Sequence, residues 1–493
     1  MKMITVAGAH ACGKTSVILK TAELLLKENC RPGVMKLDCI SSEDDRIYSA
    51  AGITNVKYIS GNICPDHYFA DSISDIFQWG LKEKLDLLIT ESAGLCGRCS
   101  PHIRDIPAVC VIDCLSGITA PQKIGPMLRY ADFIAVTKGD LVSPAEREVF
   151  LHNIRLANRK ARVSFINGLT GQGAYRLASF IRESAEEETI DGKFLRFTMP
   201  RRSAASAPGR CSSSRKETVD GSSECGEKRM DKNSENLLQG FPEAVESFTV
   251  YGGFDKDRKP EIIEVTLHKG DCACVCGKTG SGKTRLLEDI EYLASGDSPS
   301  GRKIRINGLE LTEELRLELE NRFCACLSQS MNFVMELSCR DFIFQHAGSR
   351  GIPCTEELME KILACANSLA GEPLHPEDMI TALSGGQSRA LMIADIAFLS
   401  AAPAVLIDEP ENAGIDKDAI IRILAEKGKI VLISTHDPIL ALSCEKRIFI
   451  ENGGIRGIVT RTATEEKLLK ELRAQEERMK EIRNQIRGGK NIG

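Results

Sequence analysis

Two stretches of the 493-residue chain, "GAHACGKT" and "GKTGSGKT", share the spacing Gly, four residues, Gly-Lys-Thr. Each follows an apolar run and leads into a helical pattern. In that setting backbone N–H groups wrap phosphate oxygens, the lysine reaches the terminal phosphates and the hydroxyl binds Mg²⁺. The residues concerned are Gly8, Gly13, Lys14, Thr15 and Ser16 in the first loop, and Gly277, Gly280, Gly282, Lys283 and Thr284 in the second. A third stretch, "LCGRCSPH", sets Cys96, Cys99 and His102 at C-x-x-C-x-x-H spacing just after the apolar run "LDLLIT". Thiolate and imidazole together suit Zn²⁺ and other borderline metals. Three ligands are one short of a tetrahedron, so a fourth would come from Cys64 or His67 in "SGNICPDH", or from a second subunit. Spacing alone leaves open a dithiol redox pair, an iron–sulfur cluster bridging two subunits, or plain packing.

Other cysteines read differently. Cys272, Cys274 and Cys276 alternate along one apolar run, as do Cys324 and Cys326 along another. Period two puts each set on one face of a sheet, where cysteine acts as a small hydrophobe. Cys12 sits inside the first phosphate loop, where oxidation could reach it.

The elements that must position these groups follow from patterning. Short apolar runs alternate with helical patterns in both halves, which predicts α/β folding with mainly parallel sheets. Between the halves lies a Ser-, Gly- and charge-rich stretch, too poor in large apolar residues to offset its ordering entropy, and so read as a flexible linker. The expected boundaries are a first domain over 1–195, linker 196–242, a second domain over 243–460, and a charged C-terminal helix over 461–493. The fold class expected is two P-loop domains of α/β type joined by that linker. With 64 Lys and Arg against 69 Asp and Glu the net charge is −5, which argues against a nucleic-acid partner. Nineteen scattered cysteines, with no leader at the N-terminus, predict reduced thiols in a cytoplasmic protein. No apolar run approaches the ~20 residues that span a bilayer.

After the first phosphate loop come "KLDCISSEDDRIY", "ESAG", "TKGD" and "INGLTGQG", in that order. This series resembles the nickel-chaperone GTPases that mature urease and hydrogenase. The resemblance implies that Asp38 and Glu91 lie near Mg²⁺ and the γ-phosphate. It implies too that Thr137, Lys138 and Asp140 read guanine, with Asn167 and Gly168 backing the base. A carboxylate can accept from both guanine N1–H and its exocyclic amine, a pair that adenine does not offer. The same family carries nickel or zinc on a short Cys-Pro-His or Cys-His element. Cys64 and His67 fall at the corresponding place, with Asp66 intervening.

After the second loop come "LSQ", "LSGGQ", "VLIDEP", "AGID" and "STHD". That series resembles the ATP-binding cassette (ABC) ATPases. The implied roles are Mg²⁺ binding by Thr284 and Asp408, polarisation of the attacking water by Glu409, and γ-phosphate contact by His436. Gln329 would sense Mg²⁺, and Asp416 belongs to the same nucleotide site. Ser384, Gly385, Gly386 and Gln387 would complete the ATP pocket of an opposite subunit. Phe254 would stack on adenine, with Tyr251 as its rival.

Both families imply nucleotide-dependent homodimers using ATP, GTP and Mg²⁺. The first function expected is a double NTPase that loads nickel or zinc into a client metalloenzyme. The alternative is the energising subunit of an importer, docking a membrane permease through "MNFVMELSCRDFIFQ" with the first domain as regulator. An exposed apolar groove beside Gln329 would favour that alternative. A third possibility is a redox-responsive ATPase for reductive activation of a metalloenzyme.

Overall fold

The protein is described by a computed structural model covering residues 1–39, 44–94, 98–197, 199, 245–319, 322–328, 330–409 and 417–487. The linker therefore lies largely outside the described residues, as do Cys96, Gln329 and Asp416.

Strand β1 (Lys2–Gly8) is buried almost throughout, as a central strand covered on both faces must be. With it run β2 (Pro32–Asp38), β3 (Thr54–Ile59), β4 (Leu87–Ser92), β5 (Ala108–Asp113), β6 (Phe133–Thr137) and β7 (Arg162–Phe165). All pair in parallel, in the order β3-β2-β4-β1-β5-β6-β7. The helices are α1 (Lys14–Lys27), α2 (Asp44–Ala50), α3 (Pro65–Lys82), α4 (Ala120–Lys123), α5 (Pro126–Arg129), α6 (Pro144–Ala157) and α7 (Ala174–Glu183). Val17 and Ile18 of α1 and Leu177 of α7 close one face over Ile4 and Val6. Phe69 and Phe77 of α3 close the other over Met3 and Met35, as Phe150 and Ile154 of α6 do over Ile134.

The second unit holds β8 (Ser247–Gly252), β9 (Val265–His268), β10 (Cys272–Cys276), β11 (Arg302–Ile306), β12 (Leu309–Glu310), β13 (Cys324–Leu327), β14 (Ala404–Asp408), β15 (Ile430–Ser434), β16 (Lys446–Glu451) and β17 (Gly454–Thr460). They form a six-stranded sheet, β13-β14-β15-β10-β16-β17, parallel except for its last pair, and an antiparallel four-stranded sheet, β12-β11-β8-β9. Its helices are α8 (Lys283–Glu291), α9 (Glu313–Leu319), α10 (Cys339–Ser349), α11 (Glu356–Leu369), α12 (Gly385–Phe398), α13 (Lys417–Glu426), α14 (Pro438–Ser443) and α15 (Ala463–Arg487). Cys272 and Cys274 join the core between β10 and the helices, while Cys324 and Cys326 pack against a second core. Helix α15 is solvated over much of its length and is anchored by buried Leu469 and by Arg473 on Asp418.

The two units meet along α6. Its sequence "SPAE" forms a capping box in which Ser143 and Glu146 satisfy each other's backbone N–H groups. The second carboxylate oxygen of Glu146 crosses the seam, accepting the N–H groups of Val334 and Met335 at 2.8 and 2.7 Å. Ala145 and Val149 of α6 enter the same apolar core as Phe333 and Met335. Glu148 takes hydrogen bonds from His346, Arg350 and Ser400. Arg147 pairs with Glu291 at 3.0 Å, and Arg176 donates to the Tyr292 carbonyl at 2.9 Å. Phe333 and Met335, from the stretch "MNFVMELSCRDFIFQ", are buried in that shared core, and Gln329 itself lies outside the described residues.

Candidate functional site

In the first phosphate loop Gly13 is left-handed and caps α1, so Lys14 begins the helix with Nζ turned back toward the carbonyls of Gly8 (3.1 Å) and Ala9 (2.7 Å). Ser16, one turn in, carries the close approach of Gly168. Thr15 donates to Glu91 at 2.8 Å, and Lys36 donates to the same carboxylate oxygen at 2.9 Å. Tyr48 holds the other oxygen at 2.7 Å. Glu91 and Thr15 are thus in direct contact, where a shared Mg²⁺ would require them. Asp38 ends β2, and Leu37 pairs with Ser92 beside it. Lys36 was missed from the sequence, although a lysine within the apolar run "GVMKLD" was the available signal. Gly94 has φ +69°, and a Cβ there would lie 1.6 Å from the Gly8 carbonyl oxygen. Only glycine lets the segment after Glu91 touch the phosphate loop.

At the base end, Thr137 donates to the Cys12 carbonyl at 2.7 Å and Lys138 to that of Ala11 at 3.2 Å. Lys138 also lies 3.5 Å from Asp113. Asp140 follows in a short turn, so the "TKGD" segment lies against the phosphate loop through Thr137 and Lys138. Asn167 braces its own loop. Its side chain accepts from Leu169 and Thr170 N–H and shapes its own turn, leaving the loop backbone to back a base. Cys12 is fully buried, and burial raises its thiol pKa, so it does not stand as an exposed oxidation point.

Cys64, His67 and Cys99 come together, with their ligand atoms all within 4.8 Å of one another. Pro65 starts α3 and Cys64 caps it, so Cys64 and His67 project from one turn. Cys99 arrives from the loop after β4, its sulfur 3.8 Å from His67 Nδ1. The chemistry of this set, two thiols and an imidazole, fits a borderline divalent metal. His102 does not join them. It is fully buried, with Nδ1 at 2.9 Å from the Thr5 hydroxyl and Nε2 at 2.9 Å from the Met127 carbonyl. Burial lowers its pKa to about 4, and with both ring nitrogens engaged it is a core residue. Cys99 and His102 are both buried, but the side chain of Cys99 meets His67 while that of His102 meets Thr5 and Met127, so the C-x-x-C-x-x-H spacing does not bring its histidine to the cluster.

One strand end links this cluster to the nucleotide loop. Glu91 meets Thr15, and its neighbour Ser92 donates to Asp66, which lies between Cys64 and His67. The other oxygen of Asp66 is buried without a hydrogen-bond partner.

In the second unit Gly282 is left-handed and caps α8, and Lys283 Nζ turns to the Gly277 carbonyl at 2.8 Å. His436 Nε2 lies 3.3 Å from Lys283 Nζ and 3.6 Å from Glu409. Gly277 packs on Ser281, while Gly280 accepts from Lys256 at 2.7 Å, a contact the motifs did not reveal. Thr284 and Asp408 line a common cavity. Glu409 has φ +49°, a left-handed conformation uncommon for a residue with a side chain. Tyr251 is covered by Arg305, 3.7 Å from its ring centroid, whereas Phe254 is exposed beside the segment that touches the loop. Phe254 is thus the better placed of the two. Ser384 caps α12 through a box with Gln387, and Gly385 and its neighbour Gly386 lie at that helix start. A Cβ on Gly385 would meet nothing within 4 Å.

The family "CobW/HypB/UreG, nucleotide-binding domain" matches residues 2–165, and the family "ABC transporter" matches residues 261–412. An uncharacterized ABC transporter ATP-binding protein of Methanocaldococcus jannaschii is 43% identical over 249 residues, spanning 50% of this chain and 95% of that protein. The chain joins a CobW/HypB/UreG domain to an ABC cassette. A second, uncharacterized protein of the same organism is 40% identical over 200 residues, 41% of this chain and 85% of that protein. The hydrogenase maturation factor HypB of Archaeoglobus fulgidus is 23% identical, with a TM-score of 0.31 over 37% of this chain and 89% of its own. This double-domain chain is a nucleoside triphosphatase, binding ATP and GTP with Mg²⁺. Among its described residues no helix is long and apolar enough to cross a membrane.

Proposed function

We propose that the protein is a homodimeric cytoplasmic NTPase that carries nickel or zinc on Cys64, His67 and Cys99 and delivers it to a client metalloenzyme. GTP turnover in the first domain gates release, and ATP-driven closure of the cassettes acts on the client. The observation that carries this reading is the three-ligand cluster wired by Ser92–Asp66 to the strand whose Glu91 holds Thr15. Loss of a γ-phosphate and its Mg²⁺ changes what Glu91 must neutralise, and the adjacent residue passes that change to the metal turn. Cys96, or a second copy of the chain, supplies the fourth ligand. The exposed Ser384–Gly385 turn at a helix N-terminus supports assembly of the ATP site across a two-fold axis.

The rival reading, an energising subunit for a permease, draws on the ABC transporter names of relatives. Against it, part of the segment that would dock a permease is taken up within the chain, since Phe333 and Met335 share a buried core with Ala145 and Val149 of α6. Anaerobic purification with metal analysis tests the proposal. The wild-type chain should retain close to one metal per protomer, and Cys64→Ser with Cys99→Ser should retain none. Equal metal content in both would sink it.

A further inference from the structure

A cleft of about 690 Å³ opens where the C-terminal end of α6 and the loop into β7 face the second domain. This is the end of β7 opposite Asn167, so it lies away from both phosphate loops, which sit at the carboxyl ends of their strands. One wall carries Arg155, Arg159, Lys160 and Arg162, and the other Arg322 and Arg350. Two carboxylates, Glu148 and Glu318, and His152 share the lining.

Existing pairs do not neutralise this set. Arg162 is taken by Glu183 at 2.8 Å, and Glu148 is shared among Arg350, His346 and Ser400. Arg155 donates to the Ala161 carbonyl at 2.7 Å, a neutral partner. Burial, and next the charge of Arg322, lower the pKa of Arg155, so two guanidinium groups from different domains repel across the gap. Among the described residues Arg155, Arg159, Lys160 and Arg322 have no carboxylate within ion-pair distance. Arg350 Nε is buried with no hydrogen-bond partner. Like charges held together in a concave, partly dry site are unfavourable unless an anion joins them, and arginine forks match phosphate oxygens.

We propose that this interdomain cleft binds a small polyanion bearing two or more phosphate groups, bridging Arg155 of the first domain to Arg322 of the second. Charges arriving from both walls call for a ligand with several anionic oxygens, and the enclosed volume suits a small molecule. Such a ligand is a nucleoside polyphosphate or an inorganic one, and bound there it fastens the two domains.

The test is calorimetric titration of the full chain carrying Lys14→Ala and Lys283→Ala, which weakens both phosphate loops. Inorganic tripolyphosphate should bind at one site per chain. Adding Arg155→Ala with Arg322→Ala should weaken it by about tenfold or more, since each lost charge-assisted contact is among the stronger hydrogen bonds. Arg159→Ala with Lys160→Ala, at an exposed turn, serves as the second variant and should weaken binding in the same direction. GTP and ATP titrated in parallel identify the source: tighter binding than tripolyphosphate marks a nucleoside ligand, and equal binding an inorganic one. Affinity unchanged in both arginine and lysine variants would overturn the site. A deca-glutamate peptide binding more tightly than every phosphate compound would overturn the ligand class.

Discussion

Asp140 and Cys99 illustrate how far single residues carry the account. Asp140 follows a strand end seated on the phosphate loop through Thr137 and Lys138, a context that "TKGD" alone could only suggest. Replacing it with asparagine should lower the preference for GTP over ATP at the first site by about tenfold or more, because an amide oxygen cannot match the paired acceptor geometry of a carboxylate. Competition binding with Lys283→Ala in the background reads this out, and unchanged preference would displace Asp140 from base reading. The residues proposed to hold metal separate just as sharply. Cys99→Ser should remove metal, whereas His102→Asn should keep it while lowering stability, since a buried side chain bonded at both ring nitrogens is lost. Sequence spacing could not tell these two apart. Cys99 and His102 sit three residues apart and both are buried, and only their tertiary neighbours, His67 for the one and Thr5 and Met127 for the other, set them apart.

Helices and strands were easier to anticipate than their partners. Both phosphate loops, their strand–loop–helix settings and the alternation of cysteines along β10 and β13 follow from local periodicity. The seam does not, because it depends on Glu146 of α6 meeting backbone N–H groups nearly two hundred positions later, which no local pattern encodes. Glu146→Ala would leave those two N–H groups unpaired at a cost of about 1–3 kcal/mol each. It should abolish any influence of GTP on ATP hydrolysis, whereas Glu146→Gln, which keeps an acceptor, should preserve most of it. Steady-state ATPase rates with and without GTP decide the matter. His346 adds a pH dependence at the same seam. Burial opposes its charge, yet Asp395 and then Glu148 hold its pKa up to about 10, against an ordinary 6.5. Its contribution is therefore complete below pH 6.5 and is lost as pH rises through 10. In thermal unfolding the gap between wild type and His346→Gln should be large at pH 6 and nearly closed at pH 10.5.

At the scale of the whole molecule, two nucleotide-binding units meet along one seam, and the first carries the Cys64–His67–Cys99 cluster proposed to hold metal. The family of each half was recognisable from ordered motifs, because phosphate chemistry constrains loop sequence tightly. The client was not, because a delivery surface has no comparable local code. If Glu409 polarises the attacking water, Glu409→Gln should retain ATP and shift the chain from monomer to dimer on gel filtration with ATP. The account rests most heavily on nucleotide control of the metal, and one comparison addresses it directly: zinc and nickel affinity of the full chain, measured anaerobically with a non-hydrolysable GTP analogue and then with GDP. The two states should differ by about tenfold or more, a coupling of about 1.4 kcal/mol. Equal affinity in both states, with the metal still lost on replacing Cys64 and Cys99, would leave a metal site that the first domain does not control.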